Sequence, residues 1–139
     1  MTLDSPYTTT FDARTEENFV IQKVYPTNNR FLSRVKEVIN HYLDEEDFNS
    51  ELLCREIGAS RSQVFRKIKE LTGFSTALYI RHIRLTKSAE LLNDKSYPIK
   101  IIAYSVGFRD VAYFSRCFKQ TYGTSPSHYR LQALSEFKE

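Results

Sequence analysis

Apolar residues recur at helical spacing in the segment SRSQVFRKIKELTG, residues 60–73. Three of them stand at positions i, i+4 and i+7 and therefore share one face of a helix: Val64, Ile68 and Leu71. Four side chains fall on the opposite face: Ser62, Phe65, Arg66 and Lys69. Ser60 and Gln63 have capping-box spacing, which predicts a helix that begins directly after Ser60. The pattern indicates a short amphipathic helix with a cationic outer face, a description that many solvated surface helices share.

Two helices are predicted before this segment. Residues 30–43 (RFLSRVKEVINHYL) carry a wide apolar stripe that is typical of an amphipathic helix. A shorter helix is expected to begin after Asn49 or Ser50 and to end at Gly58, because these residue types favour helix caps. Only residues 58–60 then separate this helix from the cationic one. Two helices joined by a tight, glycine-containing turn have the order of a helix-turn-helix.

Further helices are predicted after residue 74. Ser75 is a suitable N-cap for a long helix that extends to about residue 93. One apolar stripe of this helix comprises Leu78, His82, Leu85, Ala89 and Leu92. So wide an apolar surface suits a helix that is buried between two packed units. Pro98 and Pro126 each fit the first turn of another helix, where a missing N–H costs nothing.

The second half of the chain repeats the first. The stretch IKIIAYSVGFRDVAYFSRCFKQTYGTS aligns with ELLCREIGASRSQVFRKIKELTGFS, and from Ser60 and Asp110 onward the offset is 50 residues. Matched positions share a physical role as core, outward cation or glycine: Val64 and Phe114, Arg66 and Arg116, Ile68 and Phe118, Lys69 and Lys119, Gly73 and Gly123. Such a repeat indicates two copies of one unit. We therefore expect an all-α fold of about seven helices, with two helix-turn-helix subdomains joined by a long linker helix.

This organisation divides the chain into four segments. Residues 1–29 are predicted to be a linker or N-terminal arm, because they are polar and Thr-rich and lack sustained periodicity. Residues 30–74 are expected to form the first helix-turn-helix subdomain, residues 75–93 the linker helix, and residues 94–139 the second subdomain with a C-terminal helix. Four apolar residues of the arm are candidates for packing against the domain: Phe19, Val20, Ile21 and Val24.

Composition narrows the function classes. The chain of 139 residues is 41% hydrophobic and 27% charged, as in ordinary globular proteins. Its formal net charge of +3 permits a polyanionic partner without requiring one. Cys54 and Cys117 lie inside helical patterns, which predicts buried thiols rather than a disulfide.

Chemical motifs and membrane-spanning segments are absent from the sequence. No zinc-ligand, EF-hand, phosphate-loop or nucleophile-elbow spacing occurs, so we expect no cofactor, no metal site and no enzymatic activity. No apolar run reaches the length that spans a bilayer. We therefore expect a cytoplasmic protein without membrane contact.

Three stretches resemble the DNA-binding domain of the AraC/XylS family: SRSQVFRKIKELTG, IRHIRLTKSAELL and IIAYSVGFRDVAYFSRCFKQTYGTSPSHYR. The resemblance covers about residues 30–132. It is strongest to the C-terminal output domain of hybrid two-component regulators, in which a receiver domain precedes the DNA-binding end. No receiver precedes it in this sequence, which thus looks like an excised output domain or a free-standing short regulator.

The resemblance implies a sequence-specific transcription regulator that inserts two recognition helices, about residues 61–71 and 111–121, into successive major grooves. By matched position, the first helix would present Arg61, Ser62, Phe65, Arg66 and Lys69 to the DNA. The second would present Ala112, Tyr113, Ser115, Arg116 and Lys119. The expected partner is double-stranded promoter DNA, and RNA polymerase and a second copy of the chain are further candidate partners.

Arg66 and Arg116 are the expected base readers, because a guanidinium group can pair with O6 and N7 of guanine. A phosphate clamp or an intrahelical ion pair is the alternative for each. Phosphate contacts are expected from four other residues: Arg61, Lys69, Tyr113 and Lys119. Phe65 would contact a thymine methyl group, whereas Ala112 offers little to a base. We therefore expect the first helix to contribute more base discrimination and the second more anchoring.

A helical protein-interaction or dimerisation module without sequence-specific DNA binding is the alternative function. Such a module should carry apolar or mixed-charge residues on the outer faces of the two recognition helices. Six outward positions include four cations and no acidic residue: Ser62, Arg66, Lys69, Ala112, Arg116 and Lys119. The charge of these faces favours DNA as the partner.

Overall fold

The computed structural model describes residues 24–137, so the prediction of an N-terminal arm lies, for residues 1–23, outside the described residues. Seven helices lie wholly within this range: α1 (Asn28–His41), α2 (Ser50–Ile57), α3 (Arg61–Thr72), α4 (Thr76–Leu91), α5 (Ile99–Ser105), α6 (Val111–Tyr122) and α7 (Pro126–Phe137). Residues 24–137 contain no strand. The predicted all-α class is confirmed.

Most helices begin where the capping residues predict. In six cases a side-chain oxygen before the helix accepts a hydrogen bond from a backbone N–H of the first turn: Thr27, Asn49, Ser60, Ser75, Asp110 and Ser125. The choice between Asn49 and Ser50 is thereby decided in favour of Asn49. Pro98 lies one residue before α5, whereas Pro126 is the first residue of α7. Each helix start thus has a local cause in the sequence.

The first core lies among α1, α2, α3 and the N-terminal half of α4. Six of its side chains have no solvent exposure: Phe31, Val35, Ile39, Leu53, Val64 and Ile68. Tyr79 and Ile80 of α4 complete this core. Four helical segments therefore bury the apolar stripe that the sequence predicts for α1 and α3.

Tyr25 joins the end of the predicted arm to the first core. Its ring packs edge-on against Phe31, with ring centroids 5.7 Å apart, and its hydroxyl donates a hydrogen bond of 2.8 Å to the carbonyl of Ile57. Val24, one of the residues expected to pack against the domain, is instead exposed. Among the described residues of the arm, Tyr25 makes this contact, whereas the packing candidates Phe19, Val20 and Ile21 lie outside the described residues.

The second core lies among the C-terminal half of α4 and helices α5, α6 and α7. Its fully buried side chains include Leu92, Ala103, Val106, Phe114 and Phe118. The Phe118 ring contacts the rings of Tyr122 and Tyr129, at centroid distances of 4.6 Å and 5.3 Å. The linker helix α4 thus ends the first unit and begins the second.

The two cysteines are buried free thiols, as predicted. Cys54 belongs to the first core and Cys117 to the second. Burial raises the pKa of the Cys54 thiol, because a low-polarity environment disfavours the thiolate. Cys54 therefore acts as a small packing residue on the buried face of α2.

The predicted apolar stripe of α4 is wrong at Leu78, which is 43% exposed. His82, another member of that stripe, is half-buried and stacks on Phe74 with ring centroids 4.8 Å apart. Leu85 of the predicted stripe is buried, but so is its charged neighbour Arg84, of which 6% is exposed. An arginine displaces apolar residues there because its guanidinium group has carbonyl partners on both sides of the helix.

Arg84 connects the two units. Its Nη1 donates to the carbonyl of Val106 at 2.9 Å and to that of Leu43 at 3.2 Å. Its Nη2 donates to the carbonyl of Glu45 at 3.0 Å. Leu43 and Glu45 precede α2 in the first unit, whereas Val106 follows α5 in the second. Burial lowers the pKa of Arg84, and the three carbonyl oxygens offset part of the lost hydration.

A second link between the units lies at the surface. Nη2 of Arg109, in the turn before α6, lies 2.8 Å from Oδ1 of Asp47 and 3.1 Å from Oε1 of Glu46. All three side chains are exposed, so solvent weakens the attraction. The buried contacts of Arg84 therefore contribute more to the joint than this ion pair does.

Candidate nucleic-acid interface

Helix α3 has a buried face and an outward cationic face, as its periodicity predicts. Gln63, Val64 and Ile68 point into the first core. Ser62 and Lys69 are exposed, Phe65 is 46% exposed and Arg66 is half-buried, while Arg61 is exposed at the start of the helix. All five residues proposed for DNA contact on this helix therefore have a part of their surface open to solvent.

Helix α6 repeats this arrangement with different side chains. Phe114, Cys117 and Phe118 point into the second core. Four of the proposed contact residues are exposed and Ser115 is half-buried: Ala112, Tyr113, Arg116 and Lys119. Most matched positions of α3 and α6 thus face the same way, but two pairs differ clearly in burial. Cys117 is buried, whereas Lys67 at the matched position is half-buried. Tyr113 is 43% exposed, whereas Gln63 at the matched position is 2% exposed.

Several outward side chains are held by contacts within the domain. Lys69 donates from Nζ to the carbonyl of Gly73 at 2.9 Å and so satisfies an acceptor at the end of its own helix. The guanidinium carbon of Arg116 lies 5.6 Å from the centroid of the Tyr113 ring, within the range of a cation–π contact. These contacts orient cationic groups without neutralising them.

The outward faces of α3 and α6 lie on either side of one edge of the linker helix. One cleft is lined by Ser62, Phe65 and Arg66 of α3 and by Ala77 of α4. A second cleft is lined by Tyr113 and Arg116 of α6 and again by Ala77, together with Arg81 one turn further along α4. The start of α4 therefore separates the two candidate reading faces.

Three arginines that the sequence did not single out make contacts between distant segments: Arg81, Arg84 and Arg109. Arg81 donates from Nη1 to the Tyr113 hydroxyl across a long distance of 3.4 Å. Arg84 and Arg109 hold the two units together. A cation at a position where the helical pattern expects an apolar residue is the signal that could have identified Arg84. Nothing in the sequence pattern points to Arg81 or Arg109, because their partners lie in distant segments.

A family profile with the description "Helix-turn-helix domain" matches residues 53–132, which is more than half of the chain. The chain belongs to the AraC/XylS family of helix-turn-helix domains. The resemblance seen in the sequence is thereby confirmed, and so is the prediction of a DNA-binding transcription-regulator domain, because the family consists of such regulators.

Relatives of this AraC/XylS-family chain include proteins of signal transduction. Histidine kinase P4 of Formosa agariphila is 32% identical over 108 residues, which are 78% of this chain and 8% of that protein. The C-terminal domain of AraT, a response regulator from Geobacillus stearothermophilus, is 32% identical, with a TM-score of 0.67 over 73% of this chain and 84% of that chain. The chain spans 8% to 38% of the length of such curated relatives.

A solved complex with DNA exists for another AraC/XylS-type domain. The DNA-binding domain of AdpA, in complex with a target DNA, is 25% identical to this chain. Its TM-score is 0.68, and the match covers 76% of this chain and 94% of that one. The two-unit architecture is therefore shared with a domain that has been observed on DNA.

The described part of the AraC/XylS-family chain contains neither a metal-binding cluster nor a membrane-spanning helix. Between residues 24 and 137, no group of three or more His, Cys, Asp or Glu side chains is arranged to hold a metal ion. None of the helices in that range is both long and apolar enough to cross a bilayer.

Proposed function

We propose that this domain binds a specific promoter sequence by placing α3 and α6 in successive major grooves on one side of the duplex. One observation supports this proposal most directly. The outward cationic faces of α3 and α6 lie on either side of Ala77, at the start of α4. Successive major grooves are about 34 Å apart along the duplex. Because Arg84 joins the units, the spacing of the two helices is set by the protein, and DNA that does not match it must bend.

The domain boundaries of the proposal follow the sequence repeat. Residues 30–74 would form the first DNA-binding unit, residues 75–93 the linker helix, and residues 94–139 the second unit, with residues 1–29 as an arm or linker to an upstream segment. Two separate cores, which meet along α4 and at Leu43, support this division. Each unit supplies one reading helix.

Of the ten residues expected to face the DNA, five on α3 and five on α6, some would contact bases and others phosphates. Arg66 and Arg116 would read guanine, and Phe65 would contact a thymine methyl group. Arg61, Lys69, Tyr113 and Lys119 would contact phosphates, while Ser62, Ala112 and Ser115 would lie against the groove. Since α3 carries the larger outward side chains, it would contribute more of the base discrimination and α6 more of the anchoring.

The relatives support a role as the output domain of a two-component signalling protein. A histidine kinase and a response regulator both match most of this chain. In that role the domain would act in the cytoplasm, by binding and not by catalysis, and would contact RNA polymerase at the promoter. A second copy of the protein, joined through this domain or through an upstream domain, would increase the affinity for paired sites.

A comparison of Arg66→Ala and Arg116→Ala on cognate and scrambled duplexes tests the base-reading roles. The cognate duplex is first selected from random DNA with the wild-type domain. Each substitution should weaken cognate binding by about 1–3 kcal/mol and relax preference at one base position, because a bidentate arginine–guanine pair is lost. Equal weakening on cognate and scrambled DNA would contradict base reading. Arg34→Ala, on the exposed face of α1, is the matched control.

Salt-dependent binding distinguishes the proposal from the alternative of a protein-interaction module. At low salt the wild-type domain should bind duplex DNA, and its affinity should fall linearly with the logarithm of salt concentration. A domain that binds no duplex at low salt would support the alternative instead. Mobility of fragments that carry the site at permuted positions then measures the bend.

A further inference from the structure

Arg81 lies between the two reading helices on the exposed edge of the linker helix. Its guanidinium group reaches the Tyr113 hydroxyl of α6 at 3.4 Å, and Arg116 lies over the ring of the same tyrosine at 5.6 Å. Tyr113 therefore holds two cationic groups side by side, one from α4 and one from α6. Ala77, one turn before Arg81, presents only a methyl group and leaves this edge open to a large partner.

The cationic groups of this cleft differ in whether an acceptor already holds them. The cleft contains four arginines, and two of them are held by carbonyl or carboxylate oxygens: Arg84 donates to three carbonyls and Arg109 pairs with two carboxylates. Asp110, also in the cleft, accepts hydrogen bonds from two backbone N–H groups of α6. Among the side chains that the structure describes, no carboxylate forms an ion pair with Arg81 or Arg116.

We infer that Arg81 binds a phosphate of the DNA backbone that runs between the two major grooves, with Arg116 and Tyr113 beside it. The inference rests on the proposed function and adds a contact from the linker helix to it. Two helices in successive major grooves leave between them the minor groove and the two backbones that flank it, and in this arrangement those backbones would face the edge of α4 that separates α3 from α6. A guanidinium group binds phosphate oxygens through paired N–H donors, which suits this position.

A phosphate contact from Arg81 would fix the register of both reading helices on the DNA at once. Phosphate contacts fix the register of a protein on the duplex but carry no sequence information. An anchor midway between two readers sets the position of both of them on the DNA. Arg81 thus contributes to affinity on every sequence.

Salt dependence of binding tests the inference directly. Wild-type protein, Arg81→Gln and Arg81→Lys are compared on a labelled random-sequence duplex of about 30 base pairs, which covers two successive grooves. For Arg81→Gln the slope of the logarithm of the binding constant against that of salt concentration should shrink by about 0.9, because one phosphate contact is lost. Arg81→Lys should keep most of the slope, since it keeps the charge.

Lys87→Gln is the matched control on the same helix. Lys87 lies 3.5 Å from Glu90 and lines the groove between α4 and α1, away from both reading helices. This variant should keep the wild-type slope. An unchanged slope for Arg81→Gln, in protein that unfolds at the wild-type urea midpoint, would overturn the inference.

Neutral backbone linkages then locate the contact. Methylphosphonate is placed at each linkage of a duplex selected from random DNA, and binding is measured for wild type and Arg81→Gln. Replacing a linkage between the two contacted grooves should weaken DNA binding by the wild-type protein. It should not further weaken DNA binding by Arg81→Gln, since this variant already lacks the arginine that would contact that phosphate. The inference would be overturned if every linkage replacement weakened DNA binding equally for both proteins. It would also be overturned if the two proteins differed only at linkages outside the segment between the two grooves.

The proposed function and the Arg81 contact would be contradicted by different results. If the wild-type domain binds no duplex at low salt, the proposed function is wrong and this inference is wrong with it. If wild type binds and Arg81→Gln matches its slope, only the linker contact is wrong.

Discussion

The two units of the domain share a scaffold but place matched residues in different environments. At an offset of 50 residues, Val64 and Phe114 occupy the same core position and both are fully buried. Two arginines outside the aligned stretches also differ in environment: Arg34 of α1 is half-buried and pairs with Glu37 at the surface, whereas Arg84 of α4 is buried at the joint. The repeat therefore preserves the core of each unit, while residues at the joint also connect the two units.

Matched glycines show the same contrast. Gly58 and Gly107 both have a positive φ, at 84° and 90°. A Cβ on Gly58 would meet no atom within 4 Å, whereas a Cβ on Gly107 would overlap the Arg84 guanidinium group and approach the Leu43 carbonyl. Gly58 is therefore needed for its backbone conformation alone, and Gly107 also for the close approach of the first unit.

Replacement of the two glycines should produce the largest difference between the units. Gly107→Ala should lower the free energy of unfolding by about 4 kcal/mol, because it combines left-handed strain with the displacement of Arg84 from buried carbonyls. Gly58→Ala should cost only about 1–2 kcal/mol from strain. Urea unfolding followed by circular dichroism measures both. Equal losses would show that Gly107 has no role in the joint.

Replacement of Arg84, compared with replacement of Arg34, should have the next largest effect. Arg84→Met should lower the free energy of unfolding by about 3 kcal/mol, since three carbonyl oxygens lose a charged donor. Arg34→Met should change it by no more than about 0.5 kcal/mol, as is typical of exposed ion pairs. Arg84→Lys should fall between wild type and Arg84→Met, because an ammonium group cannot reproduce the planar fork of donors. An equal loss of unfolding free energy in Arg34→Met and Arg84→Met would contradict the role of Arg84 in joining the two units.

Removal of the two matched N-caps should have the smallest effect. Asp110 accepts hydrogen bonds from the N–H groups of Ala112 and Tyr113, whereas Ser60 accepts from that of Gln63 alone. Asp110→Ala should therefore cost about 1.5 kcal/mol of unfolding free energy and Ser60→Ala about 1 kcal/mol. Thermal unfolding of the two variants, side by side, gives the order. A larger loss for Ser60→Ala would contradict the comparison of the caps.

Local sequence signals predicted most of the fold. Caps at Asn49, Ser60, Ser75 and Asp110 and the 50-residue repeat act through neighbouring atoms, so they can be recognised without coordinates. Periodicity also placed the outward residues of α3 and α6 correctly. The prediction failed at Leu78 because α4 packs first against one unit and then against the other, and no single stripe describes such a helix.

The helices, their order and the two cationic faces follow from the amino-acid sequence alone, because hydrogen-bonding caps and helical periodicity operate within a few residues. How the units are joined follows only from tertiary packing. The sequence pattern marks Arg84 at most as a misplaced cation and does not mark Arg109, and it does not reveal the partners of either residue, which lie up to 62 positions away. The same holds for Arg81, whose place between α3 and α6 exists only once both units pack on one helix.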